Sequence, residues 1–192
     1  MSNYILTMLK KTILLLLLIA LVIAPTTLLA KKGHRDRHLF DQLDRATIDL
    51  GQAVKRVENQ MKGKVYKARL EKAGRRNLVF MVHSLIKDEV IVVTVDPRSG
   101  QIINATQEGF WEKWTERSLR KAARSTNIPL SQAISIAEKA CGGKASRARL
   151  ELSDDLVHYA IDVEAWYERC KVLVDSENGE FFILRDRDRK HE

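Results

Sequence analysis

The sequence contains few of the residues that usually carry chemistry or cross-links. Its 192 residues include two cysteines, three prolines and five histidines, and aromatic residues make up 6%. No C-x-x-C pair, H-E-x-x-H motif, glycine-rich phosphate-binding loop or nucleophile elbow is present. We therefore predict a protein that is not an enzyme, with no catalytic residue, no cofactor site and no metal site.

Basic residues outnumber acidic residues, which gives a formal net charge of +8. A charge of this size suits an anionic partner or surface, but it says little about specificity, and a solvated basic surface explains it as well. A nucleic-acid interface would need aromatic and basic side chains interleaved on one sheet face. The aromatic strand faces in this sequence suit packing against a helix instead, so no nucleic-acid partner is predicted.

Residues 1–30 have the pattern of an export signal. Two lysines precede the apolar run Thr12–Ala24, Pro25 ends that run, and Ala30 offers a cleavage site. The run is short for a membrane-spanning helix, which needs about twenty apolar residues. Counted through to Ala30 it becomes long enough to remain as an N-terminal anchor. Both alternatives place the rest of the chain outside the cytoplasm, as a periplasmic or secreted protein or as one anchored in the inner membrane.

An internal repeat dominates the rest of the chain. The segment Ile48–Ile103 is followed about eighty positions later by a second copy, Ile128–Leu184. The copies agree at their helix starts, at a Gly-Lys pair, at an Ala-Arg-Leu-Glu run and at a final Val-Asp turn with glycine. The repeat predicts two modules of the same fold, at residues 39–105 and 128–184.

Each copy begins with a helical pattern and continues with strands. In the first copy Asp49 is suited to cap the helix, apolar residues recur at helical spacing, and Gly63 is suited to end it. From Lys64 onwards the apolar period changes to two, which indicates strands with one buried face. A tight turn at Asp96–Gly100 precedes a short last strand.

These patterns predict an α+β protein made of two tandem modules. Each module is expected to pack one helix on one face of its own antiparallel sheet of three or four strands. The second strand of each copy is expected to pair with both the first and the third. The repeated acids Asp96 and Asp175 are interpreted as turn formers that bind the backbone.

Residues 106–127 are predicted to form a linker helix, and residues 185–192 a charged tail. Trp111 and Trp114 in the linker either pack the two modules together or face a partner, since tryptophan is common at binding hot spots. Trp166 and Tyr167 lie where the second strand of the second copy turns into the third. They are further candidates for a partner-facing or interdomain position.

Cys141 and Cys170 are the only cysteines. Cys141 ends the apolar stripe of the second helix, and Cys170 belongs to the inner face of the third strand, so both are expected to point into one core. The equivalent residues of the first copy are Met61 and Ile91, an apolar pair. Two inward thiols in an exported protein favour a disulfide, although a buried unpaired couple or a reactive pair fits the spacing too.

Both copies resemble PepSY domains. The resemblance rests on an I-x-L-x-x-A helix start, an aromatic residue in the second strand, and V-D-x-x-x-G at the last turn. The residues that carry it are Ile48, Leu50, Ala53, Phe80, Val95, Asp96 and Gly100, and then Ile128, Leu130, Ala133, Tyr159, Val174, Asp175 and Gly179. PepSY domains are non-catalytic modules found in the propeptides of secreted thermolysin-like metallopeptidases, which they are thought to inhibit or help to fold.

The resemblance and the export signal together suggest a function. The chain is expected to be a non-enzymatic binding module of the cell envelope, for example a peptidase inhibitor or modulator. Its expected partner is another envelope protein, for example a secreted peptidase. The alternative is an accessory sensor or a structural envelope protein, which would contact the membrane only if residues 1–30 remain as an anchor.

Overall fold

The computed structural model describes residues 43–74, 77–107, 117–153, 156–166 and 169–185. The predictions made for residues 1–30, for Trp111 and Trp114, for Tyr167 and for the tail beyond residue 185 lie outside these ranges. No helix within the described ranges is long and apolar enough to cross a membrane.

Three helices and eight strands make up the described fold. The helices are α1 (Leu50–Met61), α2 (Arg117–Ser125) and α3 (Leu130–Cys141). The strands of the first copy are β1 (Lys64–Ala73), β2 (Asn77–Ile86), β3 (Glu89–Val95) and β4 (Ile102–Gln107). The strands of the second copy are β5 (Lys144–Ser153), β6 (Leu156–Glu164), β7 (Arg169–Asp175) and β8 (Phe181–Arg185). We call α1 with β1–β4 the first half, and α3 with β5–β8 the second half.

The prediction of two separate helix-on-sheet modules is wrong. All eight strands form one antiparallel sheet in the order β4-β3-β2-β1-β5-β6-β7-β8. The halves join where β1 pairs with β5, with Ala68 opposite Ala148. A four-stranded meander of this size would leave the polar edge of its first strand unpaired and would bury only a small core. Joining the two first strands removes both edges and merges the cores.

Within each half the predicted strand order is confirmed. β2 pairs with both β1 and β3, and β6 pairs with both β5 and β7. A bulge interrupts β1 at Tyr66 and β5 at Ser146, which are equivalent positions. The duplicated sequence therefore gives a duplicated ladder, including its irregularity.

One continuous core lies between the sheet and the two main helices. α1 and α3 contact each other, and each contacts strands of its own half as well as the first strand of the other half. The core includes Leu50, Val54, Leu130 and Ile134 from the helices, all with no exposed surface. A Cβ on Gly51 would lie 3.2 Å from Cγ2 of Ile134, so the glycine lets the helices approach closely.

The end of α1 differs from the sequence-based expectation. Gly63 was expected to end α1, but the left-handed residue there is Lys62, with φ of 49°. In α3 the equivalent residue is Gly142, with φ of 67°. Gly63 is needed for another reason, because a Cβ on it would lie 2.9 Å from the carbonyl oxygen of Leu85. Gly63 thus marks close packing of the chain against β2, as the equivalent Gly143 does against the backbone of Glu164 at the end of β6.

The segments that lead into the main helices are held in the same way in both halves. The amides of Thr47 and Ile48 donate to the carbonyl oxygen of Pro97, and those of Asn127 and Ile128 donate to that of Ser176. Two equivalent lysines also connect the halves. Nζ of Lys64 donates to the carbonyl oxygen of Thr126 at 2.9 Å. Nζ of Lys144 donates to the carbonyl oxygen of Leu43 at 3.5 Å. Each lysine therefore ties its own half to the segment that precedes the other half's helix.

Candidate functional site

Two cavities occupy equivalent places in the two halves. Each lies beside the hairpin that joins the first two strands and the turn that joins the last two. The first cavity has a volume of about 460 Å³ and is lined by Arg45, Asn77, Leu78, Asp96, Arg98 and Ile103, among others. The second has a volume of about 410 Å³ and is lined by Leu156, His158, Leu173, Asp175, Phe181 and Phe182, among others. The duplication thus created one kind of concavity twice.

The aspartate at each cavity is hydrogen-bonded within its own turn, as predicted from the sequence. The carboxylate of Asp96 accepts from the amide of Arg98 at 2.8 Å and from the hydroxyl of Ser99 at 3.1 Å. These bonds, the first of them foremost, lower the pKa of Asp96. In the second half Asp175 accepts from the amides of Glu177 and Asn178 at 2.7 Å and 3.2 Å. Both acids therefore stabilise backbone turns.

The first cavity combines positive charge with an apolar wall. The side chains of Arg45 and Arg98 are exposed, and the wall includes Leu78 and Ile103, the latter 60% exposed. Guanidinium groups only donate hydrogen bonds, and they match carboxylates in shape and charge. The first cavity is therefore suited to hold an acidic group that stands beside an apolar one.

The second cavity is largely apolar. Leu156 is 67% exposed and Phe182 is 64% exposed, although both side chains are large and hydrophobic. Glu177 takes the place that Arg98 has in the first half. The imidazole of His158 lies 3.6 Å from the carboxylate of Glu151. The equivalent cavities thus offer different chemistry, one basic and one apolar.

Trp166, which was predicted to face a partner or the other module, is 60% exposed. It lies two residues beyond the end of β6, whereas Leu156 begins that strand at the second cavity. The structure therefore does not bring Trp166 together with the aromatic residues Phe181 and Phe182. Phe181 and Phe182 were not predicted as candidate binding residues, because a run of apolar residues in a strand usually indicates a buried strand.

Two equivalent glutamates bind different backbone groups. Pro129 gives α3 no side-chain cap, and Glu58 of α1 supplies one, with its carboxylate 2.6 Å from the hydroxyl of Ser131 and 3.4 Å from its amide. Glu138 instead accepts from the amide of Ala145 at 2.9 Å. Burial raises the pKa of both glutamates. Their bonds are structural, and sequence reasoning had singled out neither residue.

The face of the sheet away from α1 and α3, which we call the far face, differs between the halves. In the first half it buries His83, whose ring meets that of Tyr66 edge-on at 6.2 Å between centroids. Burial foremost, then the charges of Lys67 and Arg69, lowers the pKa of His83 to about 4. In the second half Glu164 is buried and binds Arg169 and Ser146, at 2.8 Å and 2.9 Å.

Cys141 and Cys170 both contribute to the core between α3 and the sheet. Cys170 is 1% exposed, and Cys141 packs against the same cluster. The structure holds both sulfurs as thiols rather than as a disulfide. The orientation predicted for both side chains is confirmed, and their oxidation stays a prediction. Among the residues that the structure describes, no group of three metal-ligating side chains is close enough to hold a metal ion.

Comparisons with known proteins assign no family to the chain. No family model and no curated protein matches it. A crystal structure from Clostridium difficile 630, of a protein named a "putative lipoprotein", is similar at 15% sequence identity and a TM-score of 0.44, over 73% of this chain and 97% of that chain. A likeness at this level does not establish a shared fold or function. The resemblance to PepSY domains stays a prediction.

Proposed function

We propose that this chain is a non-enzymatic binding module of the cell envelope, and that its first cavity binds an acidic segment of another envelope protein. The observation that carries the proposal is the pair of exposed arginines, Arg45 and Arg98, beside the apolar residues Leu78 and Ile103. The envelope location rests on the signal-like pattern of residues 1–30 in the sequence.

The use made of the acidic residues supports binding rather than catalysis. Asp96 and Asp175 hold turns, Glu58 caps a helix, and Glu138 binds a strand amide. A general acid or base must instead present its carboxyl group to a substrate. At the first cavity the charged groups that remain available are the guanidinium groups of Arg45 and Arg98, which donate to carboxylates and carry out no proton transfer at neutral pH.

A secreted peptidase is the partner that we propose within this class. The basis is the resemblance to PepSY domains, whose relatives in peptidase propeptides are thought to act on the attached enzyme. An acidic loop of such a peptidase would place carboxylates against Arg45 and Arg98. Contact with Ile103 and Leu78 would then exclude water around those charge-assisted hydrogen bonds.

A pull-down from envelope extract tests the binding proposal. The purified chain and its Arg98→Glu variant serve as baits, and Lys139→Glu is the control because it makes the same charge change at an exposed position of α3. We expect a protein to be recovered with the parent and with Lys139→Glu, and to be lost with Arg98→Glu. Equal recovery by all three baits would exclude the first cavity as the binding site.

A peptidase assay tests whether the partner is a secreted peptidase. The chain is titrated into a secreted thermolysin-like peptidase, and hydrolysis of a fluorogenic peptide is followed. We expect a change in rate that Arg98→Glu abolishes and Lys139→Glu preserves. An unchanged rate at saturating concentration, with the pull-down still positive, would reject the peptidase as partner and leave the binding function intact.

A further inference from the structure

We propose that this protein forms a symmetric dimer in which β8 pairs antiparallel with β8 of a second copy. The proposal goes beyond the proposed function and uses a different surface, since the first cavity lies in the other half. Among the residues that the structure describes, the sheet order places β4 and β8 at the two open edges of the sheet. These two edges are equivalent in the duplication, so each serves as a reference for the other.

The two edges differ in the residues that they present to an incoming strand. β4 continues after two isoleucines with Asn104, Ala105, Thr106 and Gln107, a mostly polar and exposed run. β8 carries Phe181, Phe182 and Leu184, which are 51%, 64% and 43% exposed, and it has no charge or proline before Arg185. Natural sheets usually protect an open edge with charges or prolines. β8 lacks that protection and presents an apolar edge instead.

The hydrogen bonds of β8 determine which backbone groups face outward. The amide of Asp175 donates to the carbonyl oxygen of Glu180 at 2.8 Å, so Glu180 directs its carbonyl group towards β7. Because inward and outward directions alternate along an antiparallel strand, Phe181, Ile183 and Arg185 direct their backbone groups away from β7. These outward N–H and C=O groups can accept a further strand.

Symmetry limits the possible registers. A two-fold axis between two identical antiparallel strands that share a sheet sets one residue opposite its own copy, and the axis at Ile183 gives the most hydrogen bonds between the two β8 strands. An axis at Ile183, the middle of the three, sets Phe181 opposite Arg185 and lets all three residues exchange hydrogen bonds with the second copy. The same register places Phe182 opposite Leu184 of the second copy. By symmetry, Leu184 then lies opposite Phe182 of the second copy.

The side chains fit this register. Phe182 lies opposite Leu173 of β7 and Leu184 opposite Lys171, both on the far face, and Phe182 also lines the apolar second cavity. Aromatic and aliphatic residues directly opposite each other stabilise a sheet. Two Phe182–Leu184 pairs would cover exposed apolar surface on both copies. The closed two-fold contact would leave, among the described strands, only β4 at an edge of the combined sheet. The outward backbone groups and the apolar side chains of β8 therefore match those of a second β8 strand, and we assign a second copy of this chain to the edge.

Sedimentation equilibrium of the purified chain over a wide concentration range measures the dimer. The test variant is Leu184→Lys, and the control is Thr106→Lys, because the exposed Thr106 lies opposite Val92 of β3 just as Leu184 lies opposite Lys171 of β7. We expect the parent and the control to dimerise alike, and Leu184→Lys to dissociate at least about tenfold more readily, because it sets a charge opposite Phe182. A monomer at every concentration, or equal weakening by both lysines, would overturn the proposal.

Amide hydrogen exchange tests the register on the same samples. We expect the amides of Phe181 and Ile183 to become protected as concentration rises, whereas those of Phe182 and Leu184, which point to β7, stay protected throughout. A dimer without this new protection would reject β8 as the contact. The chain could also stay monomeric and show protection of the Ile183 amide only after envelope extract is added. That result would show that a strand of another protein pairs with β8, and it would likewise overturn the proposal.

Discussion

Glu58 and Glu138 stand at equivalent positions of the repeat but bind different groups. Glu58 reaches across to Ser131 and caps α3, whereas Glu138 binds Ala145 within its own half. The reason lies at the helix starts, since Asp49 caps α1 in a capping box with Gln52 and Pro129 cannot cap α3. A repeated residue therefore keeps its role only where the residues around it are repeated as well.

The two faces of the sheet show the same rule on a larger scale. Towards α1 and α3 the halves remain alike, with Val82 matched by Ile161 and Phe80 by Tyr159, all buried. On the far face they diverge, and the buried His83 has no histidine counterpart. The core demands similar volumes at similar places. The far face of each half meets no such requirement from the other half, so polar and apolar solutions both occur there.

The largest expected difference between the halves is the cysteine pair. Cys141 and Cys170 replace Met61 and Ile91, and we expect them to oxidise in the exported protein. A disulfide closing a loop of about thirty residues stabilises by roughly 3–4 kcal/mol in the chain-entropy model. Intact mass before and after reductant, followed by denaturation of both forms, measures the bond and its effect.

The matched control is a variant carrying the first half's residues, Cys141→Met with Cys170→Ile. Its unfolding free energy should not respond to reductant. Two thiols that alkylate freely, in native protein purified from an oxidising compartment, would contradict the prediction of a disulfide.

The second difference appears as pH falls. His83 has a pKa of about 4 in the folded chain against an ordinary value of 6.5. Between these values the unfolded chain takes up the proton first, so the stability present above pH 6.5 is lost as pH falls towards 4. The loss should reach at most about 3 kcal/mol.

Urea unfolding of the parent and of His83→Leu at a series of pH values isolates this effect, because other titrating groups are common to both proteins. The difference between the two unfolding free energies should change steadily between pH 6.5 and pH 4. A difference that is independent of pH would show that His83 protonates as easily in the folded chain as in the unfolded one.

The smallest effect concerns the cap that joins the halves. A double-mutant cycle with Glu58→Gln and Ser131→Ala should give a coupling energy of about 1 kcal/mol, because the two side chains share a partly buried hydrogen bond. The control cycle pairs Glu138→Gln with Ser131→Ala, and its coupling should be close to zero. Equal couplings in the two cycles would mean that Glu58 contributes no specific contact between the helices.

The sequence allowed the repeat, both main helices and the strand order within each half to be predicted, because side-chain periodicity reports which face is buried. It did not allow the joining of β1 to β5 to be predicted. The pairing sets Lys67 opposite Arg149 and Arg69 opposite Arg147, and like charges opposite each other destabilise a sheet. Ion pairs along each strand, Arg69 with Glu71 and Arg149 with Glu151, offset this repulsion. Periodicity carries no information about which edge of a strand is paired.

The candidate site was predictable only in part. Asp96 and Asp175 were identified as turn residues because their spacing to a glycine is local. Arg45, Asn77 and Arg98 meet at the first cavity from three separate segments, and nothing in the linear order relates them. Glu58 and Ser131 are likewise brought together only by the packing of α1 against α3.

The junction of β1 and β5 also has a consequence for how the chain folds. Every other strand pair in the sheet joins neighbours connected by a short turn, whereas Ala68 and Ala148 lie roughly eighty positions apart. Hairpins of local sequence close in microseconds, while contacts between distant segments dominate the search time of a chain. We therefore expect the local hairpins of each half to form before the halves meet, and the pairing of β1 with β5 to limit the folding rate of the whole protein.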